Sequence, residues 1–292
     1  MHEPEPRYFV SGGKVGVPNV GTYLRALVGI VLWLGLPAQC ARLLGRRGAR
    51  RVLHTFFRWW ARRIVRHLRI RLDQHGLEHI QSNQRYVVVS LHEGFADVPA
   101  LFHLPLNLRF VARDEVFNWR FLGPVLRDTG QIRVTPEHGR AAYRQLRRAA
   151  DLLQSTGESI VIFPQGTILG IETDFNGGAF ALARALGWPL LPIALTGSHR
   201  VWEHPYTPRL RYWQRVSLQV LPAIPVAQLR AVSLEQTRID VQRRVKAAAL
   251  SGAPAQPRHF VPERDGWWDD YAYRIDPDFE ELAERVAKRR AQ

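Results

Sequence analysis

The chain has 292 residues, is 46% hydrophobic, holds one cysteine and carries a formal charge of +15. That is apolar material for one large core or two modest ones. The single cysteine, Cys40, excludes a disulfide framework and argues against a cysteine-based metal site, so no metal is expected. The charge is concentrated. Through Leu72 there are fourteen Lys and Arg against two acids, Glu3 and Glu5, and Arg42–Arg71 holds eleven arginines and no acid. Such a segment attracts polyanions, either nucleic acid or anionic lipid.

Taken in chain order, residues 1–19 carry Gly and Pro with little periodicity and predict a flexible leader. Residues 20–45 predict a hydrophobic helix, bent or ended at Pro37. Its apolar run Ala26–Ala38 is thirteen residues, short of the roughly 20 that cross a bilayer. A cleaved signal peptide also fits poorly, because the run starts late and no small-x-small site precedes the basic block. A buried core helix or an interfacial or re-entrant segment remains.

After a glycine-marked turn, residues 49–69 predict a second helix. Leu53, Phe57, Trp60, Ile64 and Leu68 recur at helical steps, and Arg51, Arg58, Arg62, Arg66 and Arg69 recur on another face. The chain therefore opens with a helical hairpin over 20–69, one arm apolar and the other aromatic and basic. Trp33, Arg58, Trp59, Trp60 and Arg62 are its candidate membrane-binding residues. The plainer reading is that these aromatics pack on the following domain. Nucleic acid is not the expected partner, since no DNA reader needs the adjoining apolar run.

From residue 70 to 250 short apolar strands alternate with helices. Strands are predicted at Arg69–Gln74, Tyr86–Leu91, Leu108–Ala112, Gln131–Val134, Ser159–Phe163, Leu190–Thr196 and Val216–Leu221. Helices are predicted at Asp97–His103, Asn118–Asp128, Gly139–Ser155, Gly178–Leu186 and Leu234–Leu250. The alternation predicts an α/β domain: a largely parallel central sheet flanked by helices and preceded by the basic, apolar hairpin. Residues 251–292 read as a C-terminal extension, Pro-rich and then acidic and aromatic, with a short helix at Glu280–Arg290.

Ligand sites in such sheets lie beyond the carboxyl ends of the strands. Two polar stretches fall there. The first, SLHEGFADVP, places His92, Glu93 and Asp97 after the strand YVVVS. The plain reading is a turn with Asp97 as helix N-cap and Pro99 in the first helical turn. The chemical reading is that Asp97 holds the His92 imidazole in the tautomer a general base needs. Glu93 makes no zinc site, because no second histidine follows at helical spacing, and it reads as incidental. The second stretch, SIVIFPQGTILG, ends a strand in a glycine turn, and DFNGGAF opens the next helix. Glycines there permit close approach by a ligand, and free N–H groups at a helix start favour anions.

The ordered set His92-x4-Asp97, Gly130-x-Ile132-x-Val134, Phe163-Pro164-x-Gly166-Thr167 and Pro192 resembles the glycerolipid acyltransferases, the PlsC-like 1-acyl-glycerol-3-phosphate acyltransferases. The resemblance covers about Tyr86–Ser198. It implies an O-acyltransferase of phospholipid biosynthesis, with His92 as general base and Asp97 as its orienting acid. It assigns Phe163, Pro164, Gln165, Gly166 and Thr167 to the acceptor side. No cofactor is implied beyond acyl-CoA or acyl-carrier protein as co-substrate. Membrane lipids with an anionic surface are the implied partners, at the cytoplasmic face, peripheral or monotopic. Three positions depart from the family pattern: Gln165 stands for Glu, Ile168 for Arg and Pro136 for Arg. Arg113, Arg133 and Arg140 are the nearest substitute cations in sequence. The departures leave open an acyl thioesterase, an acceptor without phosphate, or a non-catalytic membrane-binding module on the same fold.

Overall fold

The structure, a computed structural model, describes residues 7–10, 13, 15–135, 139–154, 156–168, 170–202, 209–251 and 275–277, with 280, 284 and 287–288. Nine strands and ten α-helices are assigned among them. The strands are β1 (Tyr8–Val10), β2 (Val15–Val17), β3 (Arg71–His75), β4 (Val87–Ser90), β5 (Leu108–Arg113), β6 (Ile132–Val134), β7 (Ser159–Ile162), β8 (Leu190–Thr196) and β9 (Arg215–Val220). The helices begin with α1 (Val20–Gly29), α2 (Leu36–Arg46), α3 (Arg50–His67), α4 (Asp97–Leu101) and α5 (Asp114–Asn118). They continue with α6 (Leu122–Asp128), α7 (Arg140–Leu152), α8 (Gly178–Leu186), α9 (Val226–Ala231) and α10 (Leu234–Ser251).

Seven strands form one sheet in the order β3-β9-β8-β4-β7-β5-β6. The five from β8 to β6 are mutually parallel. Strand β9 runs antiparallel to β8, and β3 runs parallel to β9. Alternate residues serve opposite faces. Val88 joins the core under α3 and α4, whereas Val87 and Val89 join the core under α7, α8 and α10. All three valines are fully buried, which is why β4 reads as an unbroken apolar run. All seven sheet strands expected from sequence form. The helix expected at Asn118–Asp128 is instead two short ones, α5 and α6. Asp114 and Glu115 fill the first turn of α5, a position that favours acids.

The leader expected over 1–19 is ordered from Tyr8 to Val17 where described. Strands β1 and β2 pair antiparallel, and Val10, Val15 and Val17 are buried against Ala26 of α1. Most of the extension expected over 251–292, with its terminal helix, lies outside the described residues.

Helices α1 and α2 are joined by a π-helical segment, Ile30–Gly35, into one helix over Val20–Arg46. Pro37 therefore does not end it. Proline cannot donate to the carbonyl four residues back, that of Trp33. Trp60 Nε1 from α3 donates to it instead at 2.5 Å. The uninterrupted helix has 27 residues, and its most apolar window is only 22% buried with mean hydropathy 1.7. This overturns the short-run expectation: by length and composition alone the helix could cross a membrane. It also removes the buried core helix, because Val20, Leu24, Val28, Val31, Leu32 and Leu36 are exposed.

The closed end of the hairpin is fastened to the domain. Arg42 and Arg46 meet Asp128 of α6 at 2.7 and 3.0 Å. Gly45 permits this approach, since a Cβ there would sit 2.0 Å from the Asp128 carbonyl oxygen. Deeper in, His54 of α3 pairs with Glu158, and Arg109 of β5 reaches the same carboxylate at 2.8 Å. Burial alone would raise the Glu158 carboxyl. The His54 hydrogen bond and the Arg109 charge outweigh it and hold it down to about 2. A depressed carboxylate stabilises the fold above its unfolded value of 4.5 and loses that contribution as pH falls through about 2. Thermal melts across this window are expected to fall more steeply for the wild type than for Glu158→Gln. Equal slopes would show that Glu158 does not couple folding to protons.

Candidate active site

His92, Glu93 and Asp97 stand just past the carboxyl end of β4, at the centre of the parallel sheet. Asp97 is fully buried, and one of its oxygens does most of the local work. Its Oδ2 lies 2.5 Å from His92 Nδ1 and accepts the N–H groups of Glu93 and Gly94 at 2.7 and 3.0 Å. Asp97 is thus no N-cap: its side chain turns back to the loop before α4 rather than forward into the helix. An oxygen already accepting two backbone N–H groups requires a donor from the ring as well. The proton therefore sits on Nδ1, and Nε2 carries the lone pair. The His92 side chain is 24% exposed, so the ring edge is open to a reactant.

Phe163 stacks on the imidazole at 4.0 Å between centroids, 15° from parallel. Gln165 is buried, and its Oε1 accepts the His92 backbone N–H at 3.1 Å. The loop after β7 therefore holds the histidine from a second side. Gly166, at φ +70°, makes the turn, with its N–H on the Phe163 carbonyl at 3.1 Å. Pro164 and Thr167 are buried in the same loop. Beyond Phe163 an aromatic series leads to the hairpin: Phe110, Phe102 and Phe57 follow at centroid separations of 6.2, 5.1 and 4.8 Å.

Glu93 is a correction to the sequence reading. It is buried, and its Oε2 accepts the Gly197 N–H at 3.0 Å and meets His199 Nδ1 at 2.9 Å. It ties the histidine turn to the end of β8. The only sequence signal was TGSH at that strand end.

The two substitute cations are not beside the histidine. Arg113 ends β5 and pairs with Glu115 at 3.0 Å; Arg133 in β6 pairs with Asp114. They stand two and three strands from β4. Arg140 is exposed at the start of α7 and Ile168 is partly buried, while Pro136 lies outside the described residues. In the hairpin, Trp33 and Trp59 face each other at 6.2 Å, and Trp59 and Arg62 are exposed. Trp60 is half-buried against Phe102. Arg58 turns to the domain and donates to Asn107 at 3.0 Å. The packing reading therefore holds for Phe57 and Trp60, and the exposed reading for Trp59 and Arg62. Among the described residues no cluster of His, Cys, Asp or Glu could hold a metal ion.

The α/β domain thus carries a carboxylate-held histidine at the end of its central strand. Residues 71–196 match the family model described as Acyltransferase. The chain is similar to the 1-acyl-sn-glycerol-3-phosphate acyltransferase BAT2 of Brassica napus, 29% identical over 54% of this chain and 46% of the relative. It is also similar to the 1-acyl-sn-glycerol-3-phosphate acyltransferase of Pseudomonas aeruginosa, 31% identical over 47% of this chain and 53% of the relative. It spans about half the length of the curated relatives it matches. Its fold is that of the PlsC acyltransferase of Thermotoga maritima, at TM-score 0.58 and 20% identity, covering 77% of this chain and 90% of that one. The family model over residues 71–196 and these relatives agree on a likeness to the PlsC-like glycerolipid acyltransferases.

Removing the Glu93 carboxylate leaves the buried Gly197 N–H without its acceptor, a loss of about 1–3 kcal/mol. Urea denaturation of Glu93→Ala is expected to show a midpoint lowered accordingly. An unchanged midpoint would mean the tie between β4 and β8 is dispensable.

Proposed function

We propose that the protein transfers a fatty acyl group from acyl-CoA or acyl-carrier protein to the free hydroxyl of a 1-acyl-glycerol-3-phosphate-type lipid at a membrane surface. The observation that carries this reading is the His92–Asp97 pair, with Nδ1 on the carboxylate and Nε2 left for the acceptor. The hydroxyl oxygen attacks the thioester carbonyl carbon as His92 Nε2 takes its proton. Asp97 stabilises the imidazolium that forms. The tetrahedral intermediate collapses, the carbon–sulfur bond breaks, and the imidazolium returns the proton to the thiolate. The products are an ester and a free thiol, with no covalent enzyme intermediate. The names of the relatives support the phospholipid precursor as acceptor.

The exposed apolar arm, Trp59 and the arginines of α3 suit the headgroup boundary of an anionic membrane at the cytoplasmic side, with the protein peripheral or monotopic. Two tests follow. Purified protein given labelled acyl donor and 1-acyl-glycerol-3-phosphate is expected to form ester product. His92→Ala is expected to lower kcat by about 10²–10⁴, with Asp97→Asn also strongly impaired. Product formation indifferent to His92 would overturn the mechanism. In vesicle flotation, a charge placed in the apolar arm costs about 2.5–3.5 kcal/mol when inserted. The double variant Val31→Asp, Leu36→Asp is thus expected to lose membrane binding while keeping its melting temperature. Binding that survives it would move the membrane contact elsewhere.

A further inference from the structure

The loop that holds His92 is itself held from behind. Helix α10 presents Arg238, Gln242 and Lys246 at successive steps of four, and all three are buried. Arg238 Nη1 meets Asp174 Oδ1 at 2.5 Å and the Phe175 carbonyl at 3.1 Å. Gln242 Oε1 accepts the Phe175 N–H at 2.7 Å. Lys246 Nζ donates to the Thr173 carbonyl at 2.9 Å and pairs with Asp276. Asp276 comes from the C-terminal segment. Its Oδ2 accepts Gln242 Nε2 at 3.0 Å, its N–H donates to the Glu172 carbonyl at 2.9 Å, and its neighbour Ile275 bridges Thr173.

The next residue passes the constraint forward. Asn176 donates its N–H and its Nδ2 to the Pro164 carbonyl at 2.8 and 2.9 Å, and Nδ2 also reaches the Gln165 carbonyl at 3.3 Å. Gln165 then accepts the His92 N–H. A chain of hydrogen bonds thus runs from Asp276 through Gln242, Phe175 and Asn176 to the histidine. An apolar stripe on α10 would pack the same face without the desolvation cost of buried charges. What the polar stripe adds is direction. Its bonds to the Thr173 and Phe175 backbone fix where the loop lies, which apolar contact does not.

We propose that Gln242, Lys246 and Asp276 are positioning residues that set the acceptor-side loop Pro164–Asn176 against His92, so that the C-terminal segment completes the active site. The effect on acceptor binding rests on the acyltransferase reading above; the clamp on the loop does not.

The test uses the full chain with Asp276→Asn, Asp276→Glu and Asn176→Ala, the last at an exposed position that keeps the fold if Asp276→Asn does not. In hydrogen exchange, the Gly166 and Asn176 amides are expected to exchange about tenfold faster in Asp276→Asn and in Asn176→Ala, with the β4 amides unchanged. Kinetics with acyl-CoA and 1-acyl-glycerol-3-phosphate are expected to show acceptor KM raised about fivefold, with donor KM and kcat within about twofold. Asp276→Glu, which keeps the charge on Lys246, is expected to recover most of the acceptor affinity. Loop amides protected as in the wild type, or acceptor and donor KM moving together, would overturn the proposal. Loop amides that respond in a wild type lacking transfer activity would support the clamp and overturn the acyltransferase reading instead.

Discussion

One oxygen atom organises the centre of this protein. Asp97 Oδ2 gathers the His92 ring nitrogen and two consecutive backbone N–H groups within 3.0 Å, in a fully buried position. A carboxylate without such donors would cost several kcal/mol to bury. With them, the turn after β4 has one shape, and that shape fixes the imidazole. The ring is then confined between Asp97 on its edge and Phe163 on its face. Its backbone is tied to Gln165, and the following residue, Glu93, is tied to β8. Three adjacent parallel strands, β8, β4 and β7, are thus tied together at the turn that carries His92.

The hairpin reaches the same centre by a different route. Its closed end is locked by charge, with Asp128 and Glu158 on the domain side and arginines and a histidine on the helices. Its middle is locked by aromatic packing, where Phe57 stacks on Phe102. The apolar arm keeps its outer face uncovered, and the π-helical segment before Pro37 passes a carbonyl to Trp60 rather than breaking the helix. The domain thus carries an uncovered apolar face on a mount held by charge and aromatic packing.

How far this was legible in the sequence follows from the range of each interaction. The sheet strands were readable because burial on both faces leaves continuous apolar runs such as Val87–Val89. His92 and Asp97 were readable because only four residues separate them. Glu93 was misread because its partners lie 104 and 106 positions away, at Gly197 and His199. The stripe Arg238, Gln242, Lys246 reads as a solvated helix face until Asp276 and the Thr173–Phe175 backbone are placed against it. The pairing of β1 with β2 gave no sequence signal, because two three-residue strands give too little periodicity to count. In the hairpin, the run Ala26–Ala38 looked too short, whereas the helix continues past Pro37 from Val20 to Arg46.

The departures from the family pattern make physical sense as a set. Gln165 is buried and uses its Oε1 to hold the His92 N–H, a task a carboxylate oxygen would also perform. A carboxylate there would add a second buried negative charge near Asp97 and call for a cation in compensation. Removing one member of a buried ion pair costs about 3–5 kcal/mol, whereas replacing both with neutral groups is often neutral or stabilising. With Gln165 neutral, the loop keeps its hold on the histidine without charge. Arg113 and Arg133 stand on the carboxyl edge of the same sheet, already held by Glu115 and Asp114. Their charges are thus already matched by carboxylates, two and three strands from His92.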